Sequence, residues 1–125
     1  MKGFDRQANE QRLETEYPLQ SPQGVNAFLS NYHHIRSSAY YKSDYDALNM
    51  LIDFEIAFSK VTITDRQRQA VLLVYWHDLT QREAGEFMGI SQQAVQQLIN
   101  AVITKIANQY AADLKGANDR RGSSL

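Results

Sequence analysis

Residues 79–100, LTQREAGEFMGISQQAVQQLIN, restrict the fold of this chain more than any other stretch. Thr80 followed three residues later by Glu83 is a capping box, in which each side chain bonds the backbone N–H of the other residue. Gly89 predicts the end of that helix, because a positive φ costs glycine little. Ser91 is then placed to cap a second helix. The stretch therefore predicts a short helix, a tight turn and a longer helix.

This layout is typical of a helix-turn-helix, whose two helices are joined by a short turn that often contains glycine. Gly85 lies within the first helix, where it weakens the helix by about 1 kcal/mol relative to alanine. A glycine is tolerated there if the two helices cross too closely for a side chain. The apolar residues at helical spacing, which predict the buried side of the motif, are Ala84, Phe87, Met88, Val95, Leu98, Ile99, Val102 and Ile106.

The opposite side of the longer helix carries neutral amides. At about 100° per residue, Gln92, Gln93, Gln96, Gln97 and Asn100 share one outward face. Such amides pair with adenine in the major groove through one donor and one acceptor, so the pattern predicts base reading by these five residues. The alternative is that glutamine is simply a good helix former on a solvated surface.

The N-terminal half predicts a helical arm. Ser21, followed by a proline, begins a helix over 22–38. Ser43, followed three residues later by an aspartate, begins another, and its apolar arc over 47–58 is wide. We therefore expect an arm over 21–59 that packs on the rest of the chain or forms an interface with another chain.

A further capping box, Thr64 with Gln67, begins a helix that leads to a loop at Trp76-His77-Asp78. The longest helix fades near Asp113. The coarse interpretation is an all-α chain with about five helices. Its segments are a disordered N-terminal tail (1–20), the helical arm (21–59), a helix-turn-helix head (60–112) and a solvated C-terminal tail (113–125).

Composition excludes several classes of function. The absence of cysteine removes disulfides and thiolate metal sites, and the adjacent His33 and His34 point to different faces of a helix. No phosphate-binding loop or nucleophile elbow occurs. We expect no catalytic residues, no metal and no cofactor, and hence neither an enzyme nor a protein with a small-molecule substrate. No apolar run is long enough for a membrane or a secretion signal, so we expect a cytoplasmic protein with no membrane contact.

Residues 63–107, ITDRQRQAVLLVYWHDLTQREAGEFMGISQQAVQQLINAVITKIA, resemble region 4 of bacterial sigma factors. The shared positions are the Thr-x-Arg-Gln start, the following tyrosine, the Leu-Thr-x-x-Glu-x-Gly helix and the Gly-Ile-Ser-x-x-x-Val turn. Small sigma-like regulators of Gram-positive phages and mobile elements carry a similar block behind a helical arm. The resemblance implies a helix-turn-helix fold and DNA binding.

The resemblance also implies roles for individual residues. Gln92, Gln93, Gln96 and Gln97 match base-reading positions, and we add Asn100 on the same face. The positions expected to contact the DNA backbone are Thr80, Gln81, Arg82 and Ser91. Residues 66–75 match the surface that holds the flap of the RNA polymerase β subunit. The family usually has arginine or lysine among its reading positions, and Gln92, Ala94 and Gln96 replace them here.

We expect a regulator that binds double-stranded DNA at promoters, with RNA polymerase or as a homodimer through 21–59. The net charge of −1 gives little general attraction for phosphates, which favours an additional partner. One alternative is a phage packaging or recombination protein, similar to a small terminase subunit. The other is an interaction module that docks on RNA polymerase without reading bases.

Overall fold

The computed structural model describes residues 17–123, with side chains over residues 17–116. This part of the chain contains six α-helices, one π-helical turn and no strand, which confirms the all-α prediction with one helix more than expected. In chain order they are α1 (Pro22–Ser30), α2 (Tyr32–Tyr41), α3 (Tyr45–Lys60), α4 (Asp65–Val71), the π-helical turn (Leu72–Trp76), α5 (Gln81–Met88) and α6 (Gln92–Ser123).

The single helix predicted over 22–38 is wrong, because the chain breaks at Asn31 into α1 and α2. Asn31 has φ −110° and ψ 16°, outside the helical region. The Ser30 hydroxyl donates to the Asn26 carbonyl at 2.8 Å, and the Asn31 amide donates to the Ala27 carbonyl at 3.2 Å. Side chains that bond the preceding turn in this way compete with continuation of the helix.

The predicted cap of α3 is displaced by one residue. Asp44 is the cap, and its Oδ1 accepts the backbone N–H groups of Asp46 and Ala47 at 3.1 and 3.2 Å. Ser43 instead has φ +52°, a left-handed conformation outside the helix. The carboxylate of Asp44 is also better suited than a hydroxyl to the positive end of the helix dipole.

The described parts of the two terminal segments make contacts or form helix where the sequence predicts tails. Residues 1–16 of the predicted tail lie outside the described residues, but Leu19 is buried and the Tyr17 ring packs edge-on against Phe28 at 6.2 Å. At the other end α6 continues past Asp113 to Ser123, so the prediction that it fades at Asp113 is wrong. The Lys60 ammonium bonds Asp113 at 3.1 Å and connects α3 to this extension.

One hydrophobic core joins the arm to the head. The buried side of α3 packs on α2 and α6 of the same chain, and its Phe54 ring lies 4.8 Å from that of Phe28. The buried side of α6 forms the centre of the core, as predicted, with Leu98 only partly buried. Two apolar side chains of α3, Ile52 and Ile56, remain exposed. None of the helices described has the length and apolar character needed to cross a membrane.

Candidate nucleic-acid interface

The first helix of the motif begins at the predicted capping box. The Glu83 N–H donates to the Thr80 hydroxyl oxygen at 3.1 Å, and the Thr80 N–H donates to the Glu83 carboxylate at 3.0 Å. Hydrogen bonds from the Thr80 backbone and side chain hold the pKa of the Glu83 carboxyl below its ordinary value. The equivalent box at Thr64 and Gln67 is also formed. Both predictions are confirmed.

The turn between α5 and α6 also follows the sequence. Gly89 has φ +71° and ψ 31°, the left-handed conformation that ends a helix at low cost for glycine. The Ile90 N–H donates to the Gly85 carbonyl at 2.9 Å and closes the turn. The Ser91 hydroxyl oxygen then accepts the Ala94 N–H at 3.0 Å and caps α6.

Gly85 is required by a close approach of backbone. A Cβ built at this position would lie 2.7 Å from the Ile90 carbonyl oxygen and 3.3 Å from the Ser91 carbonyl carbon. Contacts of 2.7 Å between nonbonded carbon and oxygen are repulsive, and both atoms belong to the turn that precedes α6. The predicted close crossing at Gly85 is confirmed.

The amide side of α6 is open to solvent. Gln92, Gln93, Gln97 and Asn100 are exposed, and Gln96 is half-buried. The Gln96 Nε2 donates to the Asn100 Oδ1 at 2.8 Å, a contact that the four-residue spacing permits but that we did not predict. The fold thus brings the five predicted base-reading residues to one side of the first three turns of α6. Their contact with bases stays a prediction.

The four predicted backbone-contacting residues lie at the starts of α5 and α6. Thr80 and Ser91 are exposed, and each uses its hydroxyl oxygen as a cap. The Ser91 hydroxyl keeps its own hydrogen to donate to a phosphate, whereas the Thr80 hydroxyl also bonds the Glu83 carboxylate. Gln81 is half-buried at the first turn of α5. The Arg82 guanidinium lies 3.6 Å from Glu86 with both groups in solvent, an ion pair that contributes little and that a phosphate can replace.

The apolar spacing predicts that Phe87 is buried, and this prediction is wrong. Its side chain is 71% exposed, while Ala84, Gly85 and Met88 form the buried side of α5. Small residues at this contact bring α5 close to α6, so the buried strip of α5 is narrow and Phe87 lies beyond its edge.

The amide side of α6 has almost no positive charge. No arginine or lysine occurs between Gln92 and Thr104. The nearest cation along the helix, Lys105, donates to the Thr62 carbonyl at 2.7 Å and to the Gln67 side-chain oxygen at 3.3 Å. Lys105 thus serves to hold α6 to the loop before α4. Among the side chains described, those of residues 17–116, no cluster of three histidine or acidic groups could hold a metal ion.

Sequence reasoning missed a groove between the arm and the head. It has a volume of about 370 Å³, is open to solvent on one side and is mostly apolar. Its walls include Tyr32, Phe54, Phe58, Leu72, Tyr75 and Trp76. Burial raises the pKa of the Tyr32 and Tyr75 hydroxyls. The wide apolar arc of α3 is a partial signal for this groove, but no residue pattern indicates the π-helical turn that forms one wall.

Contacts of Trp76 hold the arm against this wall. The Tyr32 ring lies 5.8 Å from the Trp76 ring, and the Arg36 guanidinium lies 4.7 Å above it. At the other side of the groove the Tyr75 hydroxyl lies 3.5 Å from the Asn26 side-chain oxygen. Trp76 and Tyr75 therefore connect the arm to the head.

Comparison with known proteins gives one family. Residues 61–108 match the sequence model of the family described as sigma-70, region 4, a DNA-binding and non-enzymatic domain. The matched range begins after α3 and contains α4, the π-helical turn, α5 and the first half of α6. No curated protein and no solved structure matches the chain.

Proposed function

Because residues 61–108 form a sigma region 4-like helix-turn-helix, we propose that this protein is a transcription regulator that reads a promoter element with α6. The observation that carries the proposal is the exposed amide side of α6, next to a turn of helix-turn-helix geometry. The proposed base-reading residues are Gln92, Gln93, Gln96, Gln97 and Asn100. The proposed DNA-backbone contacts are Thr80, Gln81, Arg82 and Ser91.

The test is a binding titration with purified protein, a promoter duplex selected from a random library and a scrambled duplex. We expect Gln93→Ala or Gln97→Ala to abolish the preference for the selected duplex without loss of helix content, since both side chains are exposed. Gln23→Ala is the matched control, because Gln23 is an exposed glutamine of α1. Equal affinity of the parent protein for both duplexes would contradict the proposal that α6 reads bases.

We further infer that the apolar groove receives the flap of the RNA polymerase β subunit. The resemblance assigns residues 66–75 to that contact, and Leu72 and Tyr75 form part of the groove wall. An apolar groove of a few hundred cubic ångströms fits the side chains of a short helix or loop. Attachment to a polymerase already near the promoter would compensate for the small number of phosphate contacts.

The matched pair Leu72→Glu and Leu114→Glu tests this contact, because both leucines are 42% exposed and only Leu72 lies in the groove. We expect Leu72→Glu to abolish binding to purified RNA polymerase and Leu114→Glu to retain it. Retention of binding by both variants would exclude the groove as the contact. Polymerase binding without any preference among duplexes would instead support an interaction module that does not read bases.

The arm over 21–59 is the segment that we propose for pairing of two chains, beside a DNA-reading head over 60–112. The outward side of α3 carries Ile52 and Ile56, which are 45% and 47% exposed. They are four residues apart and therefore neighbours on the helix surface. A pair of chains would present two amide sides to one duplex.

A further inference from the structure

The hydrogen bond between Gln96 and Asn100 determines which donor and acceptor atoms the Gln96 amide leaves free. The Gln96 Nε2 donates to the Asn100 Oδ1 at 2.8 Å. In this arrangement the Gln96 Oε1 remains an open acceptor, and Nε2 retains its second hydrogen. If the pair were reversed, with Asn100 donating to Oε1, Gln96 would present mainly donors.

The two arrangements suit different bases. Adenine presents an N7 acceptor beside an N6 donor in the major groove, whereas guanine presents two acceptors, N7 and O6. An amide with one free acceptor and one free hydrogen complements adenine. Guanine is read by two donors, which arginine or lysine normally supplies, and no such residue occurs between Gln92 and Thr104.

We propose that Gln96 and Asn100 act as one unit that selects adenine over guanine at one position of the bound duplex. Gln96 contacts the base through Oε1 and Nε2, and Asn100 is a positioning residue that holds the orientation of the Gln96 amide. Asn100 keeps both Nδ2 hydrogens for an acceptor on the neighbouring base or phosphate. This inference rests on the proposed function, because it assigns a base class to the same side of α6.

Neighbouring groups leave this pair of amides undisturbed. Gln96 is half-buried, so its side chain has less freedom to rotate than the exposed glutamines beside it. The Lys105 ammonium, the nearest cation that follows on α6, is occupied by Thr62 and Gln67 and does not compete for either amide.

The experiment uses the full chain and the best duplex selected from a random library at low salt. Each adenine of that duplex is replaced in turn by guanine and by 7-deaza-adenine, which lacks the N7 acceptor. Binding is measured by fluorescence anisotropy. We expect one position at which guanine weakens binding by about five- to a hundred-fold, the range of a two-bond base contact, and 7-deaza-adenine weakens it less, because only the bond to N7 is lost.

Variants of Asn100 separate positioning from general stability. Asn100→Ala should reduce the adenine-to-guanine ratio at that position to near one, with unchanged helix content. Asn100→Asp keeps an acceptor for Nε2 and should retain the ratio, although its charge lowers overall affinity. Asn108→Ala, an exposed asparagine two turns further along α6, should change neither quantity.

The outcomes distinguish this inference from the function on which it rests. Selective binding with an unchanged adenine-to-guanine ratio in Asn100→Ala would overturn the paired unit and leave base reading intact. If guanine can replace every adenine of the duplex without loss of affinity, the paired unit is likewise overturned and base reading is left intact. Failure to bind any duplex, alone or with RNA polymerase, would overturn the proposed function and this inference with it.

Discussion

Gly85 shows how a single missing side chain sets the geometry of the motif. The Ile90 carbonyl oxygen lies 2.7 Å from the position that a Cβ would occupy, and the Ile90 N–H bonds the Gly85 carbonyl at 2.9 Å. The turn before α6 is therefore held directly against the backbone of α5. Any larger residue at position 85 must move the turn, and with it the first residues of the amide side of α6.

We predict that Gly85→Ala lowers the free energy of unfolding, because overpacking costs about 1–3 kcal/mol. The gain in helix propensity, about 1 kcal/mol, opposes this cost and leaves a net loss of up to about 2 kcal/mol. Urea unfolding followed by circular dichroism measures the change.

Gly116→Ala is the control for this prediction. Gly116 also lies in a helix, but a Cβ there would meet nothing within 4 Å. The substitution should stabilise the protein by up to about 1 kcal/mol through propensity alone. Equal effects of the two substitutions would refute the packing role of Gly85.

At the scale of elements, the cap of α5 makes stability depend on pH. The pKa of Glu83 is lowered in the folded protein from its ordinary value of 4.5, so its charged form stabilises the fold at neutral pH. This contribution is present above the ordinary pKa and is lost as the pH falls through the lowered one. Glu83→Gln keeps an acceptor for the Thr80 N–H but has no charge.

We therefore predict that the parent protein exceeds Glu83→Gln in melting temperature at pH 7 and that the difference disappears well below pH 4.5. The box of α4 provides the converse variant, since Gln67 occupies the position of Glu83. Gln67→Glu should add a pH-dependent contribution of the same sign. A difference that is constant from neutral to acid pH would contradict the charge effect.

The elements that the sequence predicts best are those set by local contacts. The boxes at Thr64 and Thr80, the left-handed Gly89 and the cap at Ser91 each depend on residues within one helical turn. The inward side of α6 is equally local, because it follows from spacing alone.

Features that depend on contacts between residues far apart in the chain could not be predicted from local sequence. The break at Asn31 lies between two residues with distant partners, since Phe28 packs on Phe54 and Tyr32 packs on Trp76. The groove exists only because α3 and the π-helical turn meet in the folded chain. The order of donor and acceptor in the Gln96–Asn100 pair likewise requires coordinates.

At the scale of the whole molecule, charge limits how one chain can hold DNA. The net charge is −1, and the described cations close to the amide side are Arg82 and the occupied Lys105. Even if both of them neutralised a phosphate, the slope of log affinity against log salt would be only about −2. Useful affinity at physiological salt therefore calls for a second attachment.

We predict that Ile52→Glu converts a dimer to a monomer and weakens DNA binding, because it places a charge in the proposed pairing surface. Light scattering gives the mass, and anisotropy gives the affinity. Leu72→Glu, in the groove, is the control that should keep the dimer. A parent protein that is monomeric at micromolar concentration would contradict pairing through α3, and a larger ring would favour the terminase-like alternative.

The length of α6 has a practical consequence for labelling. Its 32 residues extend about 48 Å at 1.5 Å per residue, and only the first three turns carry the proposed base-reading residues. A fluorophore or fusion partner attached after Ser123 would start about 35 Å from Asn100, further than the width of a DNA duplex. Probes at that end should therefore report on the bound complex without obstructing it.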